Sequence, residues 1–309
     1  MPSFEALIDR AEALLAPVIR ETPLEPSPVL SEHLGVQTWL KLECLQVTGS
    51  FKIRGALFAL HELRDSGASA VATCSAGNHG LGLAYAANLA GMPARIYVPG
   101  QVDPGKVALL EGMGADVRVS KHPGFDETEA WAKEEVERDG IPFISAYDDE
   151  LILAGNGGTM MREMRRQLPE LETLIVPVGG GGLSGGMLLS AAAPNRLVAA
   201  QTLASPALAL SLERGAAVTQ MDSAETLAGG LEGGIGRMGF EVLQAHDPQV
   251  IAVSEEEIRE GLRWTLAKHR YLVEPSSAVA VAAARHPNIK ASGPTVVVLT
   301  GRNIGVDVL

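Results

Sequence analysis

Two distant segments of the sequence are suited to the same chemistry. Lys52 ends the run Thr48-Gly49-Ser50-Phe51-Lys52, and a desolvated, neutral lysine can form a Schiff base with an aldehyde. Far along the chain, an apolar strand-like run is followed by four glycines and a small-residue helix, namely Gly179, Gly180, Gly181, Gly182 and then Leu183. The bare amides of such a loop and the positive end of the helix can bind a phosphate.

An amine and a phosphate cradle together predict one ligand that is both an aldehyde and a phosphate ester. That ligand is pyridoxal 5′-phosphate. A tight turn with close packing would explain one or two glycines, but not four that are followed by Gly185 and Gly186. A lysine near a helix start is by itself usually a solvated charge, so the catalytic interpretation of Lys52 depends on the cradle.

Two further segments could contribute to the same site. Ser75-Ala76-Gly77-Asn78-His79 stands where a predicted strand turns into a helix, so its amides could bind a substrate carboxylate. Asn78 could also donate to a cofactor ring oxygen, although an ordinary capped turn explains the motif equally well. Thr300 ends the last apolar strand and would place a neutral hydroxyl in the site, although threonine is common at such positions.

The elements that must position these residues alternate between strands and helices. Strands are expected at residues 70–74, 94–98, 116–120, 142–145, 174–178, 197–201, 250–254 and 295–300, and helices at 53–63, 79–89, 106–113, 125–138, 157–168, 255–269 and 277–285. This alternation predicts an α/β fold with largely parallel sheets, in which ligands bind beyond the carboxyl ends of the strands. We expect Thr48 or Ser50 to cap the helix after Lys52.

Composition narrows the class of protein. With 309 residues, 46% of them hydrophobic, the chain can bury a large core in about two domains. A net charge of -12 that is spread along the chain disfavours a nucleic-acid or membrane-surface partner, and no apolar run approaches the ~20 residues of a membrane span. Cys44 and Cys74 lack Cys-x-x-Cys spacing and no signal peptide is evident, which predicts a cytoplasmic protein; the scattered histidines predict no structural metal.

Several motifs, in order along almost the whole chain, resemble the fold-type II pyridoxal-phosphate enzymes, which are tryptophan synthase β-like. They are similar in particular to the threonine and serine dehydratase group that also contains serine racemase. The motifs are Thr22-Pro23-Leu24, Lys41-Leu42-Glu43, residues 48–56, residues 75–79, residues 179–182, Glu274-Pro275 and the terminal Thr-Gly-x-Asn. The resemblance implies two open, twisted, mostly parallel sheets flanked by helices, a large domain of residues 1–66 and 148–309, a small domain of residues 67–147, and a homodimer.

The resemblance also implies a role for each candidate residue. Lys52 would form the Schiff base and later move the Cα proton, while Phe51 and Asn78 would contact the cofactor ring and Thr300 the pyridine nitrogen. The substrate carboxylate would be bound by Ser75, Ala76, Gly77, Asn78 and His79. The cofactor phosphate would be bound by Gly179, Gly180, Gly181, Gly182 and Leu183.

The chemistry of these positions favours elimination. A neutral hydroxyl at Thr300 leaves the ring nitrogen unprotonated, which favours loss of a β-hydroxyl over reprotonation. The predicted substrate is an amino acid with a 3-hydroxyl, threonine or serine first, and the products are a 2-oxo acid and ammonia. Racemases of the group have a second serine where this chain has Ala76, which cannot move a proton. Gln201 and Ala207 stand where many relatives have acidic ligands of a divalent cation, so no cation is expected there.

Alternatives remain open. Arg302 could pair with the second carboxylate of 3-hydroxyaspartate, form a salt bridge with Glu274, or face solvent, and Gly229-Gly230 replaces a frequent Asp-Gly. The Gly-Arg-Asn ending also resembles dehydratases assigned to hydroxyectoine breakdown. Serine racemisation and cysteine synthase-type β-replacement are less favoured, the latter because its carboxylate and phosphate loops have other sequences. A non-catalytic protein that binds a nucleotide phosphate would leave Lys52 and Thr300 unexplained.

Overall fold

The computed structural model describes residues 3–221 and 224–305, which form two β-sheets flanked by helices. The strands are β1 (Leu24–Pro26), β2 (Thr38–Lys41), β3 (Val71–Cys74), β4 (Ala94–Val98), β5 (Asp116–Val119), β6 (Thr173–Pro177), β7 (Arg196–Thr202), β8 (Gln249–Val253) and β9 (Thr295–Val298). The α/β class with two mostly parallel sheets is confirmed.

The helices of the described residues alternate with these strands. They are α1 (Phe4–Leu15), α2 (Pro28–Leu34), α3 (Lys52–Asp65), α4 (Asn78–Ala90), α5 (Pro104–Gly112), α6 (Phe125–Asp139), α7 (Glu150–Leu153), α8 (Thr159–Gln167), α9 (Gly182–Leu189), α10 (Ala207–Arg214), α11 (Arg237–His246), α12 (Glu255–His269) and α13 (Pro275–Ala284). Short 3₁₀ helices span Glu43–Leu45 and Gly229–Leu231, and a π-helical turn, Ala154–Gly158, joins α7 to α8. No helix within the described ranges is long and apolar enough to cross a bilayer.

The larger sheet has the strand order β1-β2-β9-β6-β7-β8. Only the β1–β2 pair is antiparallel, and the other neighbours run parallel. Strands β6 and β9 lie at its centre, and every residue of both is buried. Continuous apolar runs of this kind are typical of parallel strands that are covered on both faces. The loops that follow β6 and β9 therefore emerge side by side.

The smaller sheet contains three parallel strands in the order β3-β4-β5. The predicted strand at residues 142–145 is wrong, because in this segment only Phe143 forms a β-bridge, with Ala72. The Ser145 hydroxyl then accepts hydrogen bonds from the Tyr147 and Asp148 amides at 3.4 and 3.0 Å, so the chain turns away from the sheet.

A local sequence signal explains why α12 was predicted, and the lack of one explains why β1 and β2 were not. Helix α12 has the predicted bounds because Ser254 and Glu257 form a reciprocal capping box. Strands β1 and β2 were not predicted: they have three and four residues, and β2 depends on pairing with the distant β9. Pairing between segments so far apart in the chain leaves no local pattern.

Candidate active site

The three predicted loops follow β3, β6 and β9, as expected. The loop after β9 contacts the Lys52 segment, since the Phe51 amide donates to the Thr300 carbonyl at 3.1 Å. It also contacts the loop after β3, since the Asn303 side-chain amide donates to Asn78 Oδ1 at 2.7 Å. The structure thus brings together predicted site residues from both sheets.

Lys52 is the first residue of α3, and its side chain is partly buried. Its Nζ donates to the Ala146 carbonyl at 2.7 Å and lies 5.3 Å from the centre of the Phe51 ring. Burial lowers the pKa of Lys52 to about 8, and the negative charge of Glu274 opposes this shift. About a tenth of the amine is therefore neutral and nucleophilic at pH 7, far more than for a solvated lysine.

The predicted cap of α3 is wrong. Phe51 is the N-cap residue, and no side chain caps the helix. Ser50 is held in a β-bridge with Gly301, so the chain leaves the sheet edge one residue beyond it. The Ser50 hydroxyl is buried without a hydrogen-bond partner among the described residues. A buried polar atom of this kind beside the reactive amine is suited to a polar ligand.

The glycine run forms a compact cradle at the start of α9. Gly181 has φ of +79°, a left-handed conformation that glycine adopts without strain, and it is the N-cap of α9. Within the part of the chain that the structure describes, the amides of residues 180–183 donate no hydrogen bond. Buried amides are almost always paired in proteins, so this cluster fits the phosphate of pyridoxal phosphate.

Tyr147 packs directly against the cradle. Its ring occupies the space where a side chain at Gly180 would lie, and its carbonyl oxygen does the same at Gly182. Tyr147 follows Ala146, the hydrogen-bond partner of Lys52, so one short segment contacts both the amine and the cradle. This contact was not predicted, because it joins segments that are far apart in the chain.

The loop after β3 turns into α4 at Gly77, the N-cap residue. The Ser75 hydroxyl accepts from the Gly77 amide at 3.3 Å, and Ala76 lies beside them with no group that can exchange a proton. His79 is buried, and neither ring nitrogen has a partner in the described chain. Burial, together with the nearby Lys52, lowers the pKa of His79 to about 3, so its imidazole is neutral.

Glu274, expected only as part of a motif and as a possible partner of Arg302, links the loops after β3 and β9. Its carboxylate accepts from Asn78 Nδ2 at 2.7 Å and from the Asn303 amide at 3.2 Å. Burial raises the pKa of Glu274 to about 7. The Asn78 amide is thereby fixed in orientation, and its second N–H stays available to a ligand. Arg302 is exposed and forms no ion pair with Glu274 in the described ranges.

Thr300 is buried and its hydroxyl pairs with that of Ser277 at 2.9 Å. The Ser277 hydroxyl also accepts from the Gly301 amide at 2.7 Å. Ser277 was not foreseen, because its helix is composed of small apolar residues and suggests only packing. The pair presents neutral hydroxyls, as expected for the Thr300 position.

The Gln201 side chain, at the position where the resemblance implied no cation ligand in this chain, is held by the backbone. Gln201 Nε2 donates to the Val178 carbonyl at 3.2 Å, and its Oε1 accepts from the Ala209 amide at 3.0 Å. Among the described residues, no group of three or more His, Cys, Asp or Glu side chains could coordinate a metal ion.

Comparison with known proteins agrees with this geometry. A family model described as pyridoxal-phosphate dependent enzyme matches residues 15–301. An L-threonine ammonia-lyase of Geobacter sulfurreducens is 36% identical over 97% of this chain and 75% of its own length. A beta-hydroxyaspartate dehydratase of Paracoccus denitrificans is 31% identical over 100% of this chain and 98% of its own.

A solved structure, that of maize serine racemase, has the same fold. It superposes with a TM-score of 0.91 at 29% identity, over 99% of this chain and 95% of its own. With the family model and the two relatives, this match establishes the fold-type II architecture and the cofactor. The chain belongs to the family of pyridoxal-phosphate-dependent enzymes.

Proposed function

We propose that this chain is a dehydratase, or ammonia-lyase, that removes the β-hydroxyl of a 3-hydroxy amino acid. The first candidates are threonine and serine, and the products are a 2-oxo acid and ammonia. Bound pyridoxal phosphate supplies an electron sink for the pair left at Cα when its proton is removed. The observation that supports the proposal most is the segment Ala146-Tyr147, which binds the Lys52 amine at Ala146 and packs at Tyr147 against cradle amides that donate no hydrogen bond in the described chain.

Lys52 would hold the cofactor, and its Nζ would accept the Cα proton of the substrate. A pKa near 8 allows the amine to accept a proton at neutral pH and release it again. The carbonyl of Ala146, 2.7 Å from Nζ, orients the amine. Phe51 packs beside it and provides an apolar contact for the cofactor ring.

The glycine cradle holds the phosphate through its amides. The donors are those of Gly179, Gly180, Gly181, Gly182 and Leu183, supported by the N-terminus of α9. Tyr147 covers Gly180 and shields this contact from water. The phosphate that these amides would hold would supply the proton that a departing hydroxide needs.

The loop after β3 binds the substrate carboxylate. Its donors are the amides and hydroxyl of Ser75, Ala76, Gly77, Asn78 and His79, at the N-terminus of α4. Asn78, oriented by Glu274 and Asn303, directs its remaining N–H to the cofactor ring.

Two positions favour elimination over racemisation. The Thr300–Ser277 pair would offer only neutral hydroxyls to the pyridine nitrogen, which would keep the electron sink moderate and favour loss of the β-hydroxyl over reprotonation. On the opposite face, Ala76 cannot supply a second proton carrier. Lys52 therefore acts as the one base at Cα.

A substrate with a second carboxylate, 3-hydroxyaspartate, is the second candidate. Arg302 supports it, since its guanidinium is exposed beside Asn303 and is not paired with Glu274 in the described chain. The Paracoccus denitrificans relative, a beta-hydroxyaspartate dehydratase, is in agreement with this candidate.

A panel of hydroxy amino acids assayed for 2-oxo acid and ammonia tests the proposal. Threonine, serine and 3-hydroxyaspartate are each supplied to the wild type and to Lys52→Ala, after reconstitution with pyridoxal phosphate. We expect release with at least one substrate by the wild type only. If racemised serine exceeds ammonia, racemisation is the main reaction. If sulfide-dependent cysteine formation is faster than ammonia release, β-replacement is the main reaction. Either result would contradict elimination.

We further propose the division into residues 1–66 with 148–309 and residues 67–147, a homodimer, and a cytoplasmic location. The first is supported by the small sheet, whose three strands all lie within residues 67–147. The homodimer is supported by the family resemblance. Its mass can be measured by light scattering coupled to size-exclusion chromatography. The third is supported by the free, buried thiols of Cys44 and Cys74.

A further inference from the structure

The first turn of α3, which begins with Lys52, is closed in an unusual way. The Phe51 carbonyl accepts from the Arg54 amide at 3.0 Å, as in a 3₁₀ turn. The next amide, that of Gly55, donates instead to Oδ1 of Asn156 at 2.8 Å. Asn156 is buried. Three residues after Lys52, the helix amide of Gly55 is therefore bound by a side chain from another element and not by a backbone carbonyl.

Asn156 lies in the π-helical turn Ala154–Gly158, in which all five residues are buried. The backbones of this turn and of α3 are in direct contact: a side chain on Gly155 would lie 2.7 Å from Gly55 Cα and 3.0 Å from the Arg54 carbonyl oxygen. Isolated π turns inside helices are frequent at functional sites. This one fixes the separation between its own backbone and the start of α3.

The other side of the same turn packs against the cradle helix α9. A side chain on Gly157 would collide with the Leu183 carbonyl oxygen and would lie 2.6 Å from the Met187 amide. The π turn is therefore placed between the helix that starts at Lys52 and the helix that starts at the cradle. Its glycines let three backbones approach closely, and Asn156 is the hydrogen-bonding side chain at the contact with α3.

Arg54 provides a second attachment for the same turn of α3. Its guanidinium forms hydrogen bonds with Glu43 at 2.9 and 2.7 Å and with Glu163 at 2.8 Å. Glu163 belongs to α8, which continues directly from the π turn. Two side chains of one continuous helical segment thus hold adjacent residues of α3.

We propose that Asn156 is a positioning residue that fixes where the Lys52 amine stands relative to the glycine cradle. The proposal rests on the proposed function of Lys52 as the covalent attachment point. Removal of the Gly55–Asn156 hydrogen bond lets the first turn of α3 shift. A displacement of 1 Å can lower the rate of a positioned reaction by about 10²-fold.

Four variants test this inference. Asn156→Ala removes the acceptor, and Asn156→Asp keeps an oxygen at the same place. Gly55→Ala puts a methyl group 2.8 Å from the Asn156 carboxamide and displaces it, while the double variant Gly55→Ala/Asn156→Ala has no such collision. Ile258→Val, buried in a different part of the core, is the control for a general loss of stability.

The first set of measurements needs neither substrate nor catalytic activity. Hydrogen exchange of the Gly55 amide is followed in the cofactor-free proteins, and the covalently bound fraction of added pyridoxal phosphate is then measured. We expect at least tenfold faster exchange in Asn156→Ala and Gly55→Ala, and protection close to that of the wild type in Asn156→Asp. Unchanged exchange in Asn156→Ala would overturn the inference.

The second measurement separates positioning from stability. We expect kcat to fall about tenfold in Asn156→Ala with KM changed less than threefold, and Asn156→Asp to stay within threefold of the wild type. The double variant should regain Tm but not kcat. Recovery of kcat together with Tm, or a kcat for Asn156→Ala equal to that of Ile258→Val, would assign Asn156 a packing role. An inactive wild type would instead contradict the proposed function, and the exchange and binding data would still test the inference.

Discussion

Lys41 and Lys52 are both withdrawn from solvent, but their surroundings differ in kind. Lys41 is fully buried at the end of β2; its ammonium forms an ion pair with Glu163 and donates to the Thr22 carbonyl at 2.8 Å and to Gln167 at 2.9 Å. Lys52 has one hydrogen bond in the described chain, to a neutral carbonyl. Both pKa values are lowered by burial, and for Lys41 the carboxylates of Glu163 and Glu43 oppose that shift.

This difference shows what makes a buried lysine chemically useful. A buried ammonium that touches a carboxylate is held in its charged form, and with Arg54 and Glu43 it belongs to a balanced cluster of two cations and two carboxylates. An amine without a bonded carboxylate loses its proton more easily and becomes a nucleophile. The first arrangement stabilises the fold, and the second supports catalysis.

The largest effect should come from Lys52→Ala. We expect 2-oxo acid formation to fall by about 10³-fold, because the group that moves the proton is lost, while Tm changes little. Steady-state kinetics with the best substrate of the panel measures this. If Lys52→Ala keeps more than a tenth of the wild-type kcat, the proton is moved by another group.

Lys41→Met should have the opposite profile, with a large effect on stability and a small one on chemistry. We expect the free energy of unfolding to fall by about 3 kcal/mol, because Glu163 loses an ion-pair partner inside the protein. Urea unfolding measures the loss, and the bound cofactor of the folded fraction should be unchanged. The double variant Lys41→Met/Glu163→Gln should lose less free energy of unfolding than the sum of the losses of the two single variants. Strict additivity would show that the ion pair contributes no coupling.

The capture of pyridoxal phosphate by the cofactor-free protein should depend on pH. The amine reacts only when neutral, so with a pKa of about 8 its reactive fraction rises about tenfold between pH 7 and pH 9. Stopped-flow absorbance measures the rate, and Nα-acetyl-lysine corrects for titration of the aldehyde itself. A rate that rises only above pH 10 would mean that the amine is solvated like that of a free lysine.

The smallest effect should come from Glu274→Gln. Above pH 7 this carboxylate is mostly ionised and favours the protonated form of Lys52, so its loss should move the midpoint of the capture rate to lower pH. We expect a shift of roughly one pH unit or less, about 1.4 kcal/mol at most. Asn303→Ala, which leaves the carboxylate in place, should not lower the midpoint. A midpoint that rises in Glu274→Gln would contradict the electrostatic account.

The sequence was informative where a local pattern has one physical cause. The glycine run predicted a cradle because successive glycines allow close approach and a left-handed turn, and Gly181 adopts that turn. The alternation of strands and helices predicted most strands of the two sheets and placed a loop after each of β3, β6 and β9. It also predicted the bounds of α12.

Other features depend on contacts between distant segments and could not be predicted in this way. Tyr147 reaches the cradle only because Ser145 ends the pairing with Ala72, and Asn156 meets Gly55 only after α3 and the π turn have packed together. No local pattern predicts that Lys41 is ion-paired, because its partner Glu163 lies far along the chain and meets it only in the folded protein.

Borohydride reduction followed by peptide mapping tests the central claim most directly. Reduction of the protein that has been loaded with pyridoxal phosphate makes the covalent link permanent, and mass spectrometry of the digest identifies the modified residue. We predict one phosphopyridoxyl group per chain, located on Lys52, with the Lys41 peptide unmodified. A label on Lys41 or on another lysine, or no label in a protein that releases 2-oxo acid, would contradict the assignment of Lys52.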